Sequence, residues 1–363
     1  MELPTAAELE DYVDGAKAEG TRKSEQWATK NYSQWRASLA DPSSVPDLSE
    51  LWKVEKTQAA LILSQWGKTT VGNRGKPLDC DSLNSLVHSF ARVVKKEAGW
   101  NLEDAEFNDF KTLKNRRVRE RRKEQHKRKP KQASPIALEE EQTLLALDIS
   151  SPTHADGLNF RLFILLSIYW GCRGGSWHSV TTDEVLIESD KETGVRYLVW
   201  NPILDKNHGG GTSADVSQDH LAMENLSNPN NCPIALYQKA INLRPRPVEG
   251  KPFKCSNKLF LQALKTRRAE QWFGGQPHSK KTIETWMTML CEEAGIEPRT
   301  NHCGRRSFCT RLVSIVEDLQ QVTQFTGHKN VNSLKAYTAF AGERLRSVHE
   351  QVRGDGPSQK DRE

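Results

Sequence analysis

Residues 111–131, KTLKNRRVRERRKEQHKRKPK, hold twelve Lys or Arg against only Glu120 and Glu124. With a local balance of +10, the run separates helical patterns before it from a pattern that restarts at Ile136. It runs into Ala133-Ser134-Pro135, where the proline stops an incoming helix. The chain is therefore expected to fold as two bodies, and 363 residues at about 150 per domain give the same count. The whole chain carries +5, which leaves −5 outside this one segment. Charge so concentrated has two compatible uses, a solvated linker or an arm that tracks phosphates. For the second use the candidate contacts are Lys114, Arg116, Arg117, Arg119, Arg121, Arg122, Lys123, Lys127, Arg128 and Lys129. The same run passes as a nuclear import signal.

Several function classes are excluded early. Mean hydropathy is −0.69 with 27% charged residues, and no stretch approaches the ~18 uncharged apolar residues of a membrane span. The densest apolar run, Phe160–Trp170, is interrupted by Arg161 and Ser167 and reads as a buried helix. MELPTAAELEDY has neither a basic n-region nor an apolar h-region, so no secretory signal is expected. Seven cysteines without a CxxC pair point away from a disulfide framework or a four-ligand zinc site. His302, Cys303 and Cys309 lie close in sequence, but three potential ligands without a second cluster read as helix residues. The expectation is an intracellular protein with reduced thiols and no metal.

Around the basic run, the patterns are mainly helical. Trp27, Tyr32 and Trp35 fall near helical spacing, and Leu83, Leu86, Val87, Phe90 and Val94 form one stripe, with Asp79 or Asp81 placed to cap it. Beyond Ile136, IALEEEQTLLAL and 159–170 read as helices, the second ending at Gly171-Cys172-Arg173-Gly174-Gly175. SVTTDEVLIE and GVRYLVWNPIL read as strands, followed by a glycine-rich hairpin tip, DKNHGGGTSAD. Segments 232–243, 279–294, 303–315 and 318–326 are again helical in pattern. The fold class expected is mainly α with a small antiparallel β-sheet.

The informative stretch is HCGRRSFCTRLVSIVEDLQQVTQFTGHKNVNSLKAYTAF. It contains His302-x-x-Arg305, then Gly327-His328, then Tyr337 nine residues after His328. Upstream, Arg173 follows the apolar helix and Lys206 lies on the glycine-rich hairpin. This set resembles the tyrosine recombinases and their relatives, the type IB topoisomerases. The resemblance implies a two-domain clamp on duplex DNA, a helical core-binding domain plus a mixed α/β catalytic domain. It also implies the site Arg173, Lys206, His302, Arg305, His328 and Tyr337, with no cofactor.

The residue types suit that chemistry. Attack of a phenol on a phosphodiester builds negative charge on nonbridging oxygens, which Arg173 and Arg305 would clamp and His328 would hydrogen-bond. Tyr337, with an ordinary pKa near 10, needs a positive field or a base. His302 can accept its proton, and Lys206 can give one to the departing 5′ oxygen. Many bacterial relatives carry an acidic residue three after the first Arg; here Ser176 stands there, so support for Arg173 is sought at Asp183 or Glu184.

A finer resemblance covers roughly 20–345. Thr21-Arg-Lys…Trp27…Tyr32…Trp35, GKPLDCDSLNSLVHSFARVV, Cys232-Pro233-Ile234-Ala235-Leu236-Tyr237 and Arg244-Pro245 are similar to crypton-type DNA transposons. They are also similar to the crypton-derived domains of some zinc-finger MYM-type proteins. The division expected is a flexible N-terminus (1–20), a core-binding domain (21–112), a basic linker (113–133), a catalytic domain (134–353) and a disordered tail (354–363). Expected partners are duplex DNA and further copies of the chain, dimer to tetramer, with no membrane. The location is nuclear in a eukaryote and otherwise cytoplasmic. The competing readings are a topoisomerase-like or telomere-resolving enzyme using the same residues, and a domesticated DNA-binding regulator whose pocket is intact but idle.

Overall fold

The computed structural model describes residues 19–72, 75–125, 134–201, 220–247, 253–316, 318–328, 330–334 and 337. The chain divides into two compact units, Met1–Lys131 and Gln132–Glu363.

The first unit is helical: α1 (Glu19–Ala37), the single turn α2 (Leu48–Leu51), α3 (Lys56–Thr69), α4 (Cys80–Ala98) and α5 (Asn108–Gln125). Asp79 caps α4 by accepting from the Ser82 amide, and Gly99 ends it in the left-handed region. The stripe Leu83, Leu86, Val87, Phe90 and Val94 is buried as the spacing requires. Trp66 packs on Phe90 at 4.6 Å between ring centroids and stacks on Phe110 of α5. Polar atoms in this core are satisfied through Asn31, which donates to the Val71 carbonyl and accepts from Trp66 Nε1 and Thr70 Oγ1.

Helix α5 differs from the expectation of a linker beginning at residue 113. The chain stays helical through Gln125, and Phe110 and Val118 enter the core of the first unit. Close packing explains it: a Cβ on Gly67 of α3 would lie 2.7 Å from the Phe110 ring, so only glycine lets α5 approach this near. The first half of the basic run is thus the solvated face of a packed helix.

The second unit is built around α7 (Ala155–Tyr169), whose Leu158, Leu162, Phe163, Ile164, Leu165, Leu166 and Ile168 are buried. Each such side chain contributes about 1.5–3 kcal/mol on burial. Against α7 pack α6 (Leu138–Ala146), α8 (Pro233–Asn242) and α9 (Lys280–Glu293). Strands β1 (Val185–Ser189), β2 (Arg196–Trp200) and β3 (His220–Met223) form an antiparallel sheet, with Val185 facing Trp200 and Leu198 facing Ala222. A second antiparallel pair, β4 (Leu261–Arg268) and β5 (Gln271–Pro277), carries register shifts. Helices α10 (His302–Ile315) and α11 (Leu319–Thr326) follow, then a 3₁₀ turn at Val331–Leu334. Among the described residues, no helix is long and apolar enough to cross a membrane.

Candidate active site

Helix α10 organises the site through its two faces. Positions 302, 305, 306 and 309 recur at helical spacing and share one face. Cys303, Gly304 and Ser307 share another, turned to the core of the second unit. There Ser307 Oγ accepts from the Ile136 amide at 2.7 Å. A Cβ on Gly304 would lie 2.7 Å from both the Cβ and the carbonyl oxygen of Ser167, so α10 and α7 touch backbone to backbone. The start of α10 is fixed by Asn301, which donates to the Ile283 carbonyl and accepts from the Met287 amide. Arg299 and Glu140 pair at 2.7 Å through two nitrogens, and Arg311 pairs with Glu141 at 2.8 Å.

Arg173 lies on the loop that leaves α7. Gly171 takes φ +56°, and a Cβ there would sit 2.1 Å from the Phe308 ring, so the loop needs glycine for conformation and for space. A Cβ on Gly174 would be 2.9 Å from the His302 nitrogen, which shows how closely this loop lies on the first turn of α10. Half-buried Arg173 is thereby held beside His302, and its charge is felt at both His302 and His328. The carboxylate of Asp183 accepts from Asn257, and that of Glu184 from Thr181.

Arg305 is 4% exposed. It donates from Nη1 to the Gly171 carbonyl at 3.0 Å and from Nη2 to the Thr326 carbonyl at 2.6 Å. The same Nη2 lies 3.2 and 3.4 Å from the two ring nitrogens of His328. One guanidinium thus joins the Arg173 loop, the end of α11 and His328. Gly327, in the left-handed region at φ 63°, turns the chain so that His328 folds back, its Nδ1 2.6 Å from Thr326 Oγ1. That hydroxyl is also 2.6 Å from the Val322 carbonyl, to which it donates its single proton. The imidazole of His328 is thus held between the Thr326 hydroxyl and the Arg305 guanidinium.

The electrostatics are one-sided. Burial, then the charges of Arg305, Arg173 and His302, drive the His328 pKa down to about 4. His302 is open to solvent on one side, yet partial desolvation of its ring, then Arg305, Arg306 and Arg173, hold it below the usual histidine range. The permanent charges that depress both imidazoles, Arg305 and Arg173 among them, are cationic. A site of this kind favours an anion.

Tyr337 is 7% exposed and rests on Cys309, Val313, Val322 and Leu334. Its ring centroid is 5.6 Å from that of His328 at 60°. Burial and the neighbouring Cys309 raise its pKa, whereas the charge of Arg305, a hydrogen bond from the same guanidinium and the charge of Arg306 oppose that rise. The Cys309 thiol, pushed up to about 11 by burial, is hydrogen-bonded to the phenol.

Arg173, His302, Arg305, His328 and Tyr337 thus meet in one place. Lys206 lies outside the described residues, as do Lys127, Arg128 and Lys129. Sequence spacing passed over Arg306, buried behind Tyr337, and Cys309; both share the face set by His302 and Arg305, which was the available signal. The proximity of His302, Cys303 and Cys309 in sequence does not make a metal cluster, and no group of three His, Cys, Asp or Glu able to hold one occurs among the described residues.

On α5, Arg117 is spent within the fold. Its guanidinium donates to the Gly67 carbonyl at 3.0 Å and to the Thr70 carbonyl, capping the C-terminus of α3. Arg116 pairs with Glu120 at 2.9 Å and Arg121 with Glu124 at 2.7 Å, both in solvent-exposed geometry. Lys114, Arg119, Arg122 and Lys123 make no such pair among the described residues.

Residues 236–344 match the phage integrase family model, a stretch that includes His302, Arg305, His328 and Tyr337. Among solved structures, the Tn1549 transposon integrase in complex with transposon right-end DNA aligns at 15% identity and TM-score 0.53. That alignment covers 95% of this chain and 97% of the other. The XerH site-specific recombinase bound to palindromic difH substrate aligns at 15% identity and TM-score 0.49, over 85% and 74%. No curated protein matches by sequence. Residues 236–344 thus resemble the phage integrase family, and the chain shares its mainly helical fold with the Tn1549 transposon integrase.

Proposed function

We propose that this protein cleaves and rejoins DNA strands with Tyr337 as nucleophile, to integrate or excise a mobile element. The observation that carries the reading is the meeting of Arg305, His328 and Tyr337, with Arg173 and His302, in a pocket whose charges are cationic. In the proposed step the phenol oxygen of Tyr337 attacks phosphorus and its proton passes to His302. The P–O5′ bond breaks and Lys206 protonates the departing O5′. The products are a 3′-phosphotyrosyl ester and a free 5′ hydroxyl, and attack by a 5′ hydroxyl on that ester reverses the step and reseals a strand. Arg173 and Arg305 hold the nonbridging oxygens as charge builds, where a preorganised donor is worth about 10²–10³ in rate.

Lys114, Arg119, Arg122 and Lys123 of α5 contact DNA phosphates, and recombination takes place in an assembly of two to four chains on DNA. The crypton-type origin rests on the N-terminal and Cys232–Tyr237 motifs. A suicide DNA substrate with a nick beside the scissile phosphate tests the reaction, because the released fragment diffuses away and traps the covalent complex. A protein–DNA adduct formed without metal or ATP, and absent from Y337F, is the expected result. Binding without an adduct on cognate ends would leave the idle-pocket regulator as the reading.

A further inference from the structure

Arg306 is the one cation of the site face that points behind the nucleophile. It is 5% exposed, a costly place for a guanidinium that any aliphatic side chain would fill more cheaply. Its Cζ lies over the Tyr337 ring, 5.7 Å from the centroid, within the ~6 Å reach of a cation–π contact. His328 meets the same ring at a tilt, 5.6 Å away. Arg305, one residue earlier, is committed to the Gly171 and Thr326 carbonyls and reaches Tyr337 at its oxygen. The two adjacent arginines therefore address different parts of one side chain.

We propose that Arg306 is a positioning residue for Tyr337, holding the ring by its face from inside the fold and so fixing where the phenol oxygen is presented. Its importance for strand cleavage rests on the nucleophile reading of Tyr337; the contact itself does not. Attraction between a cation and an aromatic face grows as the ring becomes more electron-rich, so the contact strengthens as the phenol gives up its proton. Among the described residues, the charged and titratable groups facing Tyr337 are Arg305, Arg306 and Cys309 of α10 and His328 after α11. Helix α11 and the turn Val331–Leu334 contribute no titratable side chain. Among the described residues, Arg305 and Arg306 are the permanent positive charges acting on the phenol, and Cys309 opposes both.

The test places difluorotyrosine at position 337, where fluorine brings phenol ionisation into a range in which the protein stays folded. The midpoint is then read by fluorine NMR in the DNA-free protein with Arg306 intact, R306M and R306K. The expected result is an alkaline displacement in R306M that lowers the phenolate fraction about tenfold at a given pH, and a smaller one in R306K. In the natural protein, the pH profile of single-turnover adduct formation moves the same way in R306M, with DNA affinity unchanged. Midpoints and profiles unchanged by R306M would overturn the proposal. If R306M does not fold, R306K carries the test, and an unmoved midpoint there overturns it equally. A protein with Arg306 intact that forms no adduct would defeat the nucleophile reading, and the fluorine titration would still judge Arg306.

Discussion

Arg305 donates from Nη2 to the Thr326 carbonyl at 2.6 Å and so ties the end of α11 to the site face of α10. The same guanidinium also reaches Gly171, His328 and the Tyr337 phenol. R305K keeps the charge but loses the fork. It is expected to lower adduct formation by at least ~10²-fold and stability by about 1–3 kcal/mol, because buried carbonyls lose their donor. Single-turnover cleavage and urea denaturation of the same preparation measure the two effects.

Gly304→Ala tests the seat of α10. Its new Cβ meets Ser167 at 2.7 Å, partly against backbone, which has little freedom to yield. A loss of about 1–3 kcal/mol is expected, together with a fall in cleavage as His302 and Arg305 move with the helix. The pair G304A/S167G, which frees one of the crowded contacts, should recover part of both losses.

Stability should fall as acid is added through the histidine range. An unfolded His328 protonates near pH 6.5, but the folded one does not until about 4. Between those values the unfolded state binds more protons, so unfolding free energy rises with pH across the window and levels off above it. Water screens part of the effect at this partly exposed ring, leaving on the order of 2 kcal/mol. Thermal melts from pH 4 to 7.5 should show this slope, and H328Q should flatten it.

The cations of α5 should separate into two kinds. Arg117→Ala is expected to cost about 1–3 kcal/mol by uncapping α3, with little change in the salt dependence of DNA binding. Arg119→Ala and Lys123→Ala are expected to leave stability within about 0.5 kcal/mol and each to reduce the slope of log K against log salt by about 0.9. Binding isotherms at several salt concentrations, alongside melts, decide between the two behaviours.

What was legible in the sequence followed from local chemistry. Of the two caps offered for α4, Asp79 and Asp81, the structure uses Asp79, because capping is a short-range matter. The β4–β5 hairpin was missed: LKTRRAEQWFGGQP is charged and glycine-bearing, and its register shifts break the alternation that marks a strand. Arg117 could not be told from its neighbours, since its partners are backbone carbonyls, which leave no trace in a sequence. Arg306 escaped for a related reason. A ring-face contact across thirty-one positions has no spacing rule, although the shared helix face with Arg305 was readable.

The most direct measurement maps the covalent bond itself. The adduct from a suicide substrate is digested with protease and nuclease, and the modified peptide is sequenced by mass spectrometry. A nucleotide joined through its 3′ phosphate to Tyr337, with a 5′ hydroxyl on the released strand, is the predicted result. Attachment at another residue, or a 5′-linked nucleotide, would contradict the account.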